Sequence, residues 1–443
     1  MAALNLRILL SGRLKRKQGL FPQKHYKIMN AQTILIIYLA VFSVYFIWER
    51  LLAGLNMRHI IARRNAPPRE LEAHIEAETY ARSVSYNLTH SRFALVSSTV
   101  SALFTLFMVL SGSLGNLEHW VQTLSLPASL SRILYIYAVS LLFSLLSFPF
   151  SIYSQFVIEA RFGFNRMSPK LFLIDLAKGL LISLVLFTPL LFFLFWFMET
   201  SGSFWWVWAF FLVALFQIGL TLIYPSLIAP MFNKYRPLEE GSLKDHIVAL
   251  STQENFPIKG VFVMDGSKRS RHSNAYFTGL GKTKRIVLFD TLIEQLTEEQ
   301  ITAVLAHEIG HQKKRHIVIR MILSLGSMLM GMWLISLLLG YDPFFEAFGF
   351  RNPSTHAALI IFVFLSGPVT FFLQPLLSVW SRRHEHAADR YAVLAVGNSS
   401  DLEEALIALG KDNLSNLTPH PWYSFFHYSH PTLLERIAAL KKL

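Results

Sequence analysis

The sequence predicts a mainly α-helical polytopic membrane protein with about seven transmembrane helices and a smaller α+β domain outside the membrane. Hydrophobic residues make up 53% of the 443 residues and charged residues only 16%, well below the usual quarter of a soluble domain. Apolar runs long enough to cross a bilayer, roughly 18 residues or more, recur along the chain. Shorter stretches rich in Val, Ile and Phe supply strands for the smaller domain.

The formal net charge of +13 does not by itself indicate nucleic-acid binding. Lys and Arg are scattered through the loops between apolar segments, which is typical of a basic cytoplasmic membrane face. The chain contains no cysteine, so disulfides, thiolate metal ligands and a cysteine nucleophile are excluded. Any metal must be held by His, Asp or Glu. We expect membrane lipid as a partner and no nucleic acid.

Seven apolar runs are interpreted as membrane spans, five within residues 29–228 and two within residues 317–380. Four polar residues inside them are interpreted as contacts between helices, in preference to a transport pathway, because unpaired polar groups are costly in hydrocarbon. These residues are Asp175, Lys178, Gln217 and Gln374. The predicted spans cover residues 34–55, 93–110, 133–153, 171–198, 204–228, 317–339 and 357–379.

Basic loops set the predicted orientation. Arg58, Arg63 and Arg64 follow the first span, Arg161 and Arg166 follow the third, and further Lys and Arg follow the fifth and seventh. The intervening loops are poor in both residues. The basic loops and the carboxyl terminus are therefore predicted to be cytoplasmic, and the amino terminus lies on the far side.

Residues 1–28 contradict this orientation because seven Lys and Arg residues crowd the amino terminus. They also lack the long apolar stretch and small-residue cleavage site of a secretory signal. We interpret residues 1–28 as a non-native extension upstream of a natural start at Met29. A mass spectrum of the natural protein that contains residues upstream of Met29 would refute this interpretation.

The hydrophilic portions at residues 229–316 and 381–443 are expected to fold together as one domain. Residues 260–265 and 285–289 are predicted strands. Residues 273–280 are an expected extended partner, joined to the second strand by a turn at positions 281–283.

A helix with a metal-binding pattern follows these strands. Thr297 and Gln300 predict a capping box at its start. His307 and His311, four positions apart, project from one face of the helix, where both imidazoles can bind one ion. Glu308 lies beside the first histidine, so it can hold a water molecule and act first as base and then as acid. We prefer this zincin-like catalytic domain to the alternative of two surface histidines.

Residues 381–389 supply the rest of the predicted site. Glu385 completes the His₂Glu ligand set of a catalytic site for one Zn²⁺ ion. Asp389, one helical turn later, is expected to accept the other ring N–H of a ligating histidine. The last two spans form a hairpin that returns the chain to the same membrane face, so the two motifs can meet.

Three further histidines, His316, His384 and His386, lie close to these motifs in the sequence. A surface or interfacial role is preferred for them because the three-ligand set is already complete. A glycine in a helix interior, such as Gly310, lowers helix stability by roughly 1 kcal/mol relative to Ala. Its presence indicates either that a neighbouring element packs too closely for a side chain or that the helix simply tolerates the glycine.

The chain resembles the integral-membrane zinc metalloproteases of the type I CAAX prenyl protease family, whose eukaryotic members trim prenylated proteins. The resemblance runs from about the first span to the carboxyl end and includes both zinc motifs. The other matching segments are residues 156–165, residues 223–230 with Asn233, residues 265–270, residues 273–277 and residues 429–436.

This resemblance implies that the spans enclose a large water-filled chamber with the zinc site at its cytoplasmic end. It also implies that Asn274 and His430 flank the scissile carbonyl and stabilise the oxyanion, while Arg436 braces the site. A tetrahedral oxyanion does require preorganised donors beyond the metal. On local sequence alone, Asn274 would be interpreted as a turn residue and His430 as a helix cap.

The expected substrate is a peptide or protein, prenylated or membrane-associated. An extended peptide can pair with the edge of residues 273–280, which makes sequence specificity weak. Lys268, Arg269 or Arg271 can attract a substrate carboxylate, but solvated surface charge is the preferred interpretation.

The leading functional prediction is a zinc metalloendopeptidase. Its alternatives are a bacterial quality-control protease without prenyl specificity, a transporter with a structural zinc site, and a catalytically silent receptor. Compact loops and the lack of an endoplasmic-reticulum retrieval signal favour a bacterial inner membrane, with the endoplasmic reticulum membrane expected if the source is eukaryotic. Structural zinc sites normally use four protein ligands, often with sulfur, which disfavours the transporter.

Overall fold

Seven long apolar helices form a bundle that is joined to a smaller α+β domain in the computed structural model, which describes residues 29–278 and 284–443. The predicted number of spans is confirmed. The helices are longer than the predicted apolar cores because several extend beyond the hydrocarbon thickness, which needs about 20 residues. The first six bundle helices are α1 (Ala31–Ala62), α2 (Ala77–Leu110), α3 (Ser113–Thr123), α4 (Ala128–Tyr153), α5 (Pro169–Thr200) and α6 (Trp205–Ile223).

The smaller domain is built from two separate stretches of chain, with a helical hairpin of the bundle between them. Its first stretch contains β1 (Tyr235–Pro237), α7 (Ser242–Gln253), β2 (Gly260–Met264), β3 (Ala275–Thr278), β4 (Arg285–Phe289), α8 (Asp290–Gln295) and α9 (Glu298–Lys313). The hairpin and second stretch contain α10 (His316–Leu338), α11 (Asp342–Glu346), α12 (Thr355–Val396), α13 (Ser400–Asp412), α14 (Pro421–His427) and α15 (Leu433–Leu440).

The bundle is held together by a buried aromatic cluster and presents apolar side chains outward. Tyr135, Phe345 and Phe348 lie in the core, whereas Val185 and Leu215 are 63% and 72% exposed. Continuous apolar surface of this kind is typical of a protein that contacts lipid. A cavity of about 1190 Å³ lies among α1, α2, α4, α5 and α12, lined by aromatic and hydroxyl side chains. It lies among the spans, as expected of a chamber, but the predicted zinc ligands are not among the residues that line it.

Two of the bundle helices change their winding near one end. Alpha-helical α4 passes into a π-helical turn at Ser154–Ile158, and α6 passes into another at Tyr224–Ile228. Such single π turns often occur at functional sites because they re-aim the side chains that follow. The second lies within a segment that carries the family resemblance, residues 223–230, and the first overlaps another, residues 156–165.

A four-stranded sheet forms one layer of the smaller domain, in the order β1-β2-β4-β3. The central strands β2 and β4 are parallel to each other. The outer strands are antiparallel to their neighbours: β1 pairs with β2, and β3 pairs with β4. The predicted strand at residues 285–289 is found with those bounds, β2 ends one residue earlier than predicted, and β3 begins two residues later. The predicted turn at 281–283 and the non-native extension at 1–28 lie outside the described residues.

Helix α9 packs between the sheet and α12. Its start has the predicted capping box, since Gln300 N–H donates to Thr297 Oγ1 and Thr297 N–H donates to Gln300 Oε1. Gly310 faces α12, where an added Cβ would lie 3.1 Å from Tyr391 Cβ and 3.2 Å from Ala388 Cα. The close neighbour is therefore the reason for glycine at this position.

Helix α12 runs for 42 residues without interruption. It carries both the last span and the second metal motif, so no break separates them at residue 380. One rigid element thus delivers Glu385 from the membrane bundle to the face of α9 that carries the histidines.

Candidate metal centre

Two buried histidines of α9 face a buried glutamate of α12. The Nε2 atoms of His307 and His311 lie 3.1 Å apart. Glu385 places Oε2 3.5 Å from His307 Nε2 and Oε1 3.3 Å from His311 Nε2. Among the described residues, this is the one group of three or more His, Asp or Glu side chains gathered closely enough to hold a metal ion.

The two imidazole nitrogens, and the carboxylate oxygen nearest to each of them, have a spacing that suits a tetrahedral ion. Ligand atoms about 2.0–2.2 Å from such an ion lie roughly 3.3–3.6 Å from one another. The three observed separations fall within a few tenths of an ångström of that range. Glu385 Oε1 is also buried and has no hydrogen-bond partner within the described residues. A buried carboxylate oxygen left without a partner is costly, and a cation would relieve that cost.

Asp389 determines which nitrogen of His307 faces Glu385. Its Oδ1 lies 2.7 Å from His307 Nδ1. Because an ionised carboxylate only accepts, Nδ1 carries the hydrogen and Nε2 keeps the lone pair that a metal requires. Burial by itself lowers the pKa of His307, but the carboxylates of Asp389 and Glu385 outweigh it and raise that pKa.

Arg436 of α15 contacts Asp389 on the side of His307 that faces away from Glu385. Its guanidinium forms a two-pronged contact with the Asp389 carboxylate, and Nε lies 3.0 Å from Asp389 Oδ2. One Nη atom is 3.4 Å from His307 Nδ1. The described contacts of Arg436 therefore lie behind His307, and it braces the site through Asp389.

His316 lies inside the site, contrary to its predicted surface role. Its side chain is buried, and its Nδ1 is 2.9 Å from His311 Nδ1. Arg315 adopts a left-handed conformation with φ 56°, which turns the chain between α9 and α10 so that the His316 ring returns to His311. Sequence spacing did not reveal this because five positions across a helix break match no helical face.

The other two histidines differ from each other. His384 stacks on His316 with ring centroids 3.9 Å apart, while His386 is exposed as predicted. His384 therefore packs behind the ring that contacts His311. Neither belongs to the group of three clustered side chains.

Of the remaining predicted site residues, His430 is the one with a polar contact to the cluster within residues 29–278 and 284–443. His430 is 62% exposed in its side chain and places Nε2 3.5 Å from Glu385 Oε1. Glu308 is half-buried on α9, next to His307. Asn274 is exposed at the start of β3, where its carbonyl oxygen accepts from Phe289 N–H. No contact between Asn274 and the cluster occurs among the described residues.

The interpretation of Arg269 as solvated surface charge is wrong. Its guanidinium is partly buried, with Nε 2.8 Å from Asp175 Oδ2 and Nη1 2.8 Å from Asn233 Oδ1. It is therefore already neutralised by a carboxylate of the fourth span. Lys268 and Arg271 are exposed, as predicted.

Three of the four polar residues singled out in the spans make contacts between separate elements, as predicted, and Gln374 does not. Asp175 pairs with Arg269, Lys178 donates to Met231 O, and Gln217 donates to Ser324 Oγ. Gln374 donates to Ser378 within its own helix. The first three therefore stabilise packing between separate elements of the bundle and domain.

Two family descriptions together match nearly all of the chain. Residues 56–234 match the family described as CAAX prenyl protease N-terminal, five membrane helices. Residues 237–443 match the family described as Peptidase family M48. The boundary between the two matches falls where α6 and its π turn end and the smaller domain begins.

The chain is similar over most of its length to curated CAAX prenyl proteases. It is 37% identical to the CAAX prenyl protease 1 homolog of Oryza sativa subsp. japonica, which covers 84% of this chain and 90% of that protein. It is 36% identical to CAAX prenyl protease 1 of Saccharomyces cerevisiae, covering 84% and 88%. The crystal structure of S. mikatae Ste24p matches with a TM-score of 0.86 at 34% identity, covering 92% of this chain and 99% of that one.

Proposed function

This chain belongs to the M48 peptidases of the CAAX prenyl protease group, and we propose that it cleaves peptide bonds with one zinc ion held by His307, His311 and Glu385. As a family member it is a multi-pass membrane metallopeptidase that acts on peptides or proteins. The single observation that supports the metal assignment is the close approach of three buried side chains: the two Nε2 atoms lie 3.1 Å apart, and each lies 3.3 or 3.5 Å from an oxygen of Glu385.

Zinc is the proposed metal because the donor set is two imidazoles and one carboxylate without sulfur. Three protein ligands leave a coordination position open, which is characteristic of catalytic zinc sites. Zinc in such a set supplies Lewis acidity, which makes water a nucleophile at neutral pH and polarises a carbonyl.

Glu308 is the proposed general base and acid. Its half-buried position, adjacent to His307 on α9, supports this role. The carboxylate takes a proton from the attacking water and then donates it to the nitrogen of the departing peptide.

His430 and Asn274 are the proposed oxyanion donors. His430 lies 3.5 Å from Glu385 with an exposed ring, so it can donate toward a carbonyl oxygen that enters from the open side. Asn274 precedes β3, the edge strand beside the site. Arg436 is a positioning residue in this scheme because it acts through Asp389.

Strand β3 is the proposed docking edge for the substrate backbone. It pairs with β4 on one side, and no strand pairs with its other side among the described residues. An extended peptide can add there through main-chain hydrogen bonds, which gives affinity with weak sequence preference.

The proposed substrates carry a prenyl group or another membrane-associated segment. The relatives named CAAX prenyl protease support this choice, as does a cavity of about 1190 Å³ among the spans that is lined by both aromatic and hydroxyl side chains. Nothing in the fold or the relatives favours the quality-control, transporter or receptor alternatives.

The catalytic domain is proposed to face the cytoplasm, because the loops that follow spans one, three, five and seven carry most of the Lys and Arg. We propose a bacterial inner membrane as the location because the loops are compact. The endoplasmic reticulum membrane is the alternative if the source is eukaryotic.

A cleavage assay with purified protein tests the proposal. Matched fluorescent peptides with and without a prenylated cysteine are offered to the parent, to chelator-treated protein with and without added zinc, and to Glu308→Gln. We expect zinc-dependent cleavage, faster for the prenylated peptide, and a loss of at least about 10²-fold in Glu308→Gln with normal zinc content. Equal turnover of the two peptides would contradict prenyl recognition, and full activity of zinc-loaded Glu308→Gln would contradict the role of Glu308.

A further inference from the structure

The chain that leads into β3 is tied to the membrane bundle by a short stretch of paired backbone. Arg166 N–H donates to Arg269 O, and Arg271 N–H donates to Phe164 O. An isolated antiparallel bridge joins Asn165 to Ser270 between them. The segment after the third span is therefore the immediate neighbour of the residues that begin the proposed substrate strand.

Glu159 lies at the centre of this junction. Its Oε1 accepts from Tyr86 Oη at 2.9 Å and lies 2.9 Å from His90 Nε2, both on α2. Its Oε2 lies 3.5 Å from His272 Nε2 on the segment before β3. One carboxylate with a 16% exposed side chain thus joins the end of the third span to one neighbouring membrane helix, α2, and to the segment before β3.

His272 is held on its other sides as well. Its ring stacks on Phe164 with centroids 4.1 Å apart, and its Nδ1 lies 2.8 Å from Asn413 Oδ1. Thr291 donates to the His272 carbonyl oxygen. The contact with Glu159 raises the pKa of His272, against the opposing effect of burial. His272 is two residues before Asn274 and three before β3, so it lies in the segment that leads directly into that strand.

Local backbone geometry explains how Glu159 reaches this place. The π turn at Ser154–Ile158 directly precedes it and changes the direction in which the next side chains point. Gly163, with φ +80°, then reverses the chain so that Phe164 and Asn165 can pair with the segment before β3. A left-handed conformation of this kind is accessible to glycine at no steric cost.

We propose that Glu159 is a positioning residue for peptide binding, which holds β3 in place through His272 so that an extended substrate can pair with its outer edge. This inference rests on the proposed function. A charged, partly buried contact at one end of the strand limits its movement, and a displacement of about 1 Å at a docking edge can cost up to about 10²-fold in rate.

The proposal predicts that substrate length decides the effect of losing the Glu159 charge. A long peptide pairs along β3 and depends on where the strand lies, whereas a short peptide spanning two residues on each side of the cleaved bond depends mainly on the metal centre. Glu159→Gln keeps the side-chain shape and an acceptor for Tyr86, but removes the charge that faces His272 and His90.

The test compares KM and kcat for two peptides that share one cleaved bond and differ only in length. In full-length purified Glu159→Gln, we expect KM for the long peptide to rise about tenfold, with kcat for both peptides and KM for the short peptide within about twofold of the parent. His272→Gln should have the same pattern. The double variant should lose no more than either single variant, because both act through one contact.

Glu239→Gln is the matched control, since that carboxylate is 87% exposed in the same domain. It should leave both peptides unchanged. An unchanged KM for the long peptide in folded, zinc-loaded Glu159→Gln overturns the proposal. Equal losses for both peptides, or additive losses in the double variant, also overturn it, because they indicate general destabilisation or independent roles.

Dissociation constants of the two peptides, measured in the Glu308→Gln background, separate this proposal from the proposed function. If the parent cleaves neither peptide, the proposed function fails. A long peptide that still binds about tenfold more weakly after Glu159→Gln supports the positioning role even then, and equal binding contradicts it.

Discussion

Asp389 contacts His307 through Oδ1 and Nδ1 at 2.7 Å, on the side of the imidazole that faces away from Glu385. This contact fixes the hydrogen on Nδ1 and leaves Nε2 free to bind a metal. Arg436 in turn holds Asp389 with two guanidinium nitrogens. The contacts from Arg436 to Asp389 and from Asp389 to His307 link α15, α12 and α9. The metal site therefore depends on the packing of three helices.

Asp389→Asn is expected to weaken metal binding. The amide loses the charge that both His307 and Arg436 contact, and it can present N–H₂ to His307 instead of an acceptor. Replacement of such outer partners typically costs 10–100-fold in metal affinity. Zinc affinity is measured by competition with a chromophoric chelator. Asp245→Asn, an exposed aspartate of α7, is the control and should bind zinc as the parent does; equal affinities of all three proteins would refute the role of Asp389.

His316→Phe is expected to lower zinc affinity by about tenfold. Phenylalanine preserves a ring of similar size against His384, but it cannot accept the hydrogen of His311 Nδ1, 2.9 Å away. The orientation of His311 is then fixed by packing alone. His386→Phe is the matched control because its side chain is exposed on the same membrane face. The prediction is wrong if the two variants release zinc at the same chelator concentration.

Gly310→Ala is expected to lower zinc affinity although alanine is the better helix former. Alanine gains roughly 1 kcal/mol in helix propensity. Its Cβ, however, would lie 3.2 Å from Ala388 Cα, which belongs to the backbone of a packed helix. Helices α9 and α12 must then separate by a few tenths of an ångström, which moves the histidines away from Glu385.

Gly326→Ala provides the control for that prediction. Gly326 lies inside α10, and an added Cβ there meets nothing within 4 Å. This variant should keep the parental zinc affinity and gain helix stability. If Gly310→Ala behaves in the same way in the chelator titration, close packing of the two helices is not what holds the ligands together.

Features with a local cause could be predicted from the sequence. The capping box at Thr297 and the pair His307 and His311 depend on residues within one or two helical turns, so spacing alone locates them. The seven spans follow from hydropathy for the same reason. Glu385 could be predicted because a catalytic zinc set needs a third ligand, and the second hydrophilic stretch offers a carboxylate directly after the last span.

Contacts between residues far apart in the chain could not be predicted in this way. Arg269 and Asp175 are separated by 94 positions, and each belongs to a segment whose local pattern is complete without the other. Glu159 and His272 are a second case. A lone arginine in a loop suggests surface charge, and only the fold shows that a carboxylate of the fourth span lies beside it.

Asp175→Asn is expected to destabilise the junction between the fourth span and the segment before β3. The Arg269 and Asp175 side chains are only 17% and 15% exposed. Removal of one partner from such a pair leaves a poorly hydrated charge, which can cost about 3–5 kcal/mol. We expect a lower midpoint of thermal unfolding in detergent and a higher KM for long peptides, because Arg269 lies in the same segment as His272.

The exposed ion pair between Arg236 and Glu239 provides the contrast. Its nitrogen and oxygen are 3.7 Å apart, with side chains 69% and 87% exposed, so Glu239→Gln should change the unfolding midpoint very little. A comparable shift of the unfolding midpoint in both variants would mean that Asp175 contributes no more to stability than an exposed surface charge does. A selective shift in Asp175→Asn would instead identify the buried pair as a second tether of β3, independent of Glu159, and losses from Asp175→Asn and Glu159→Gln should then add.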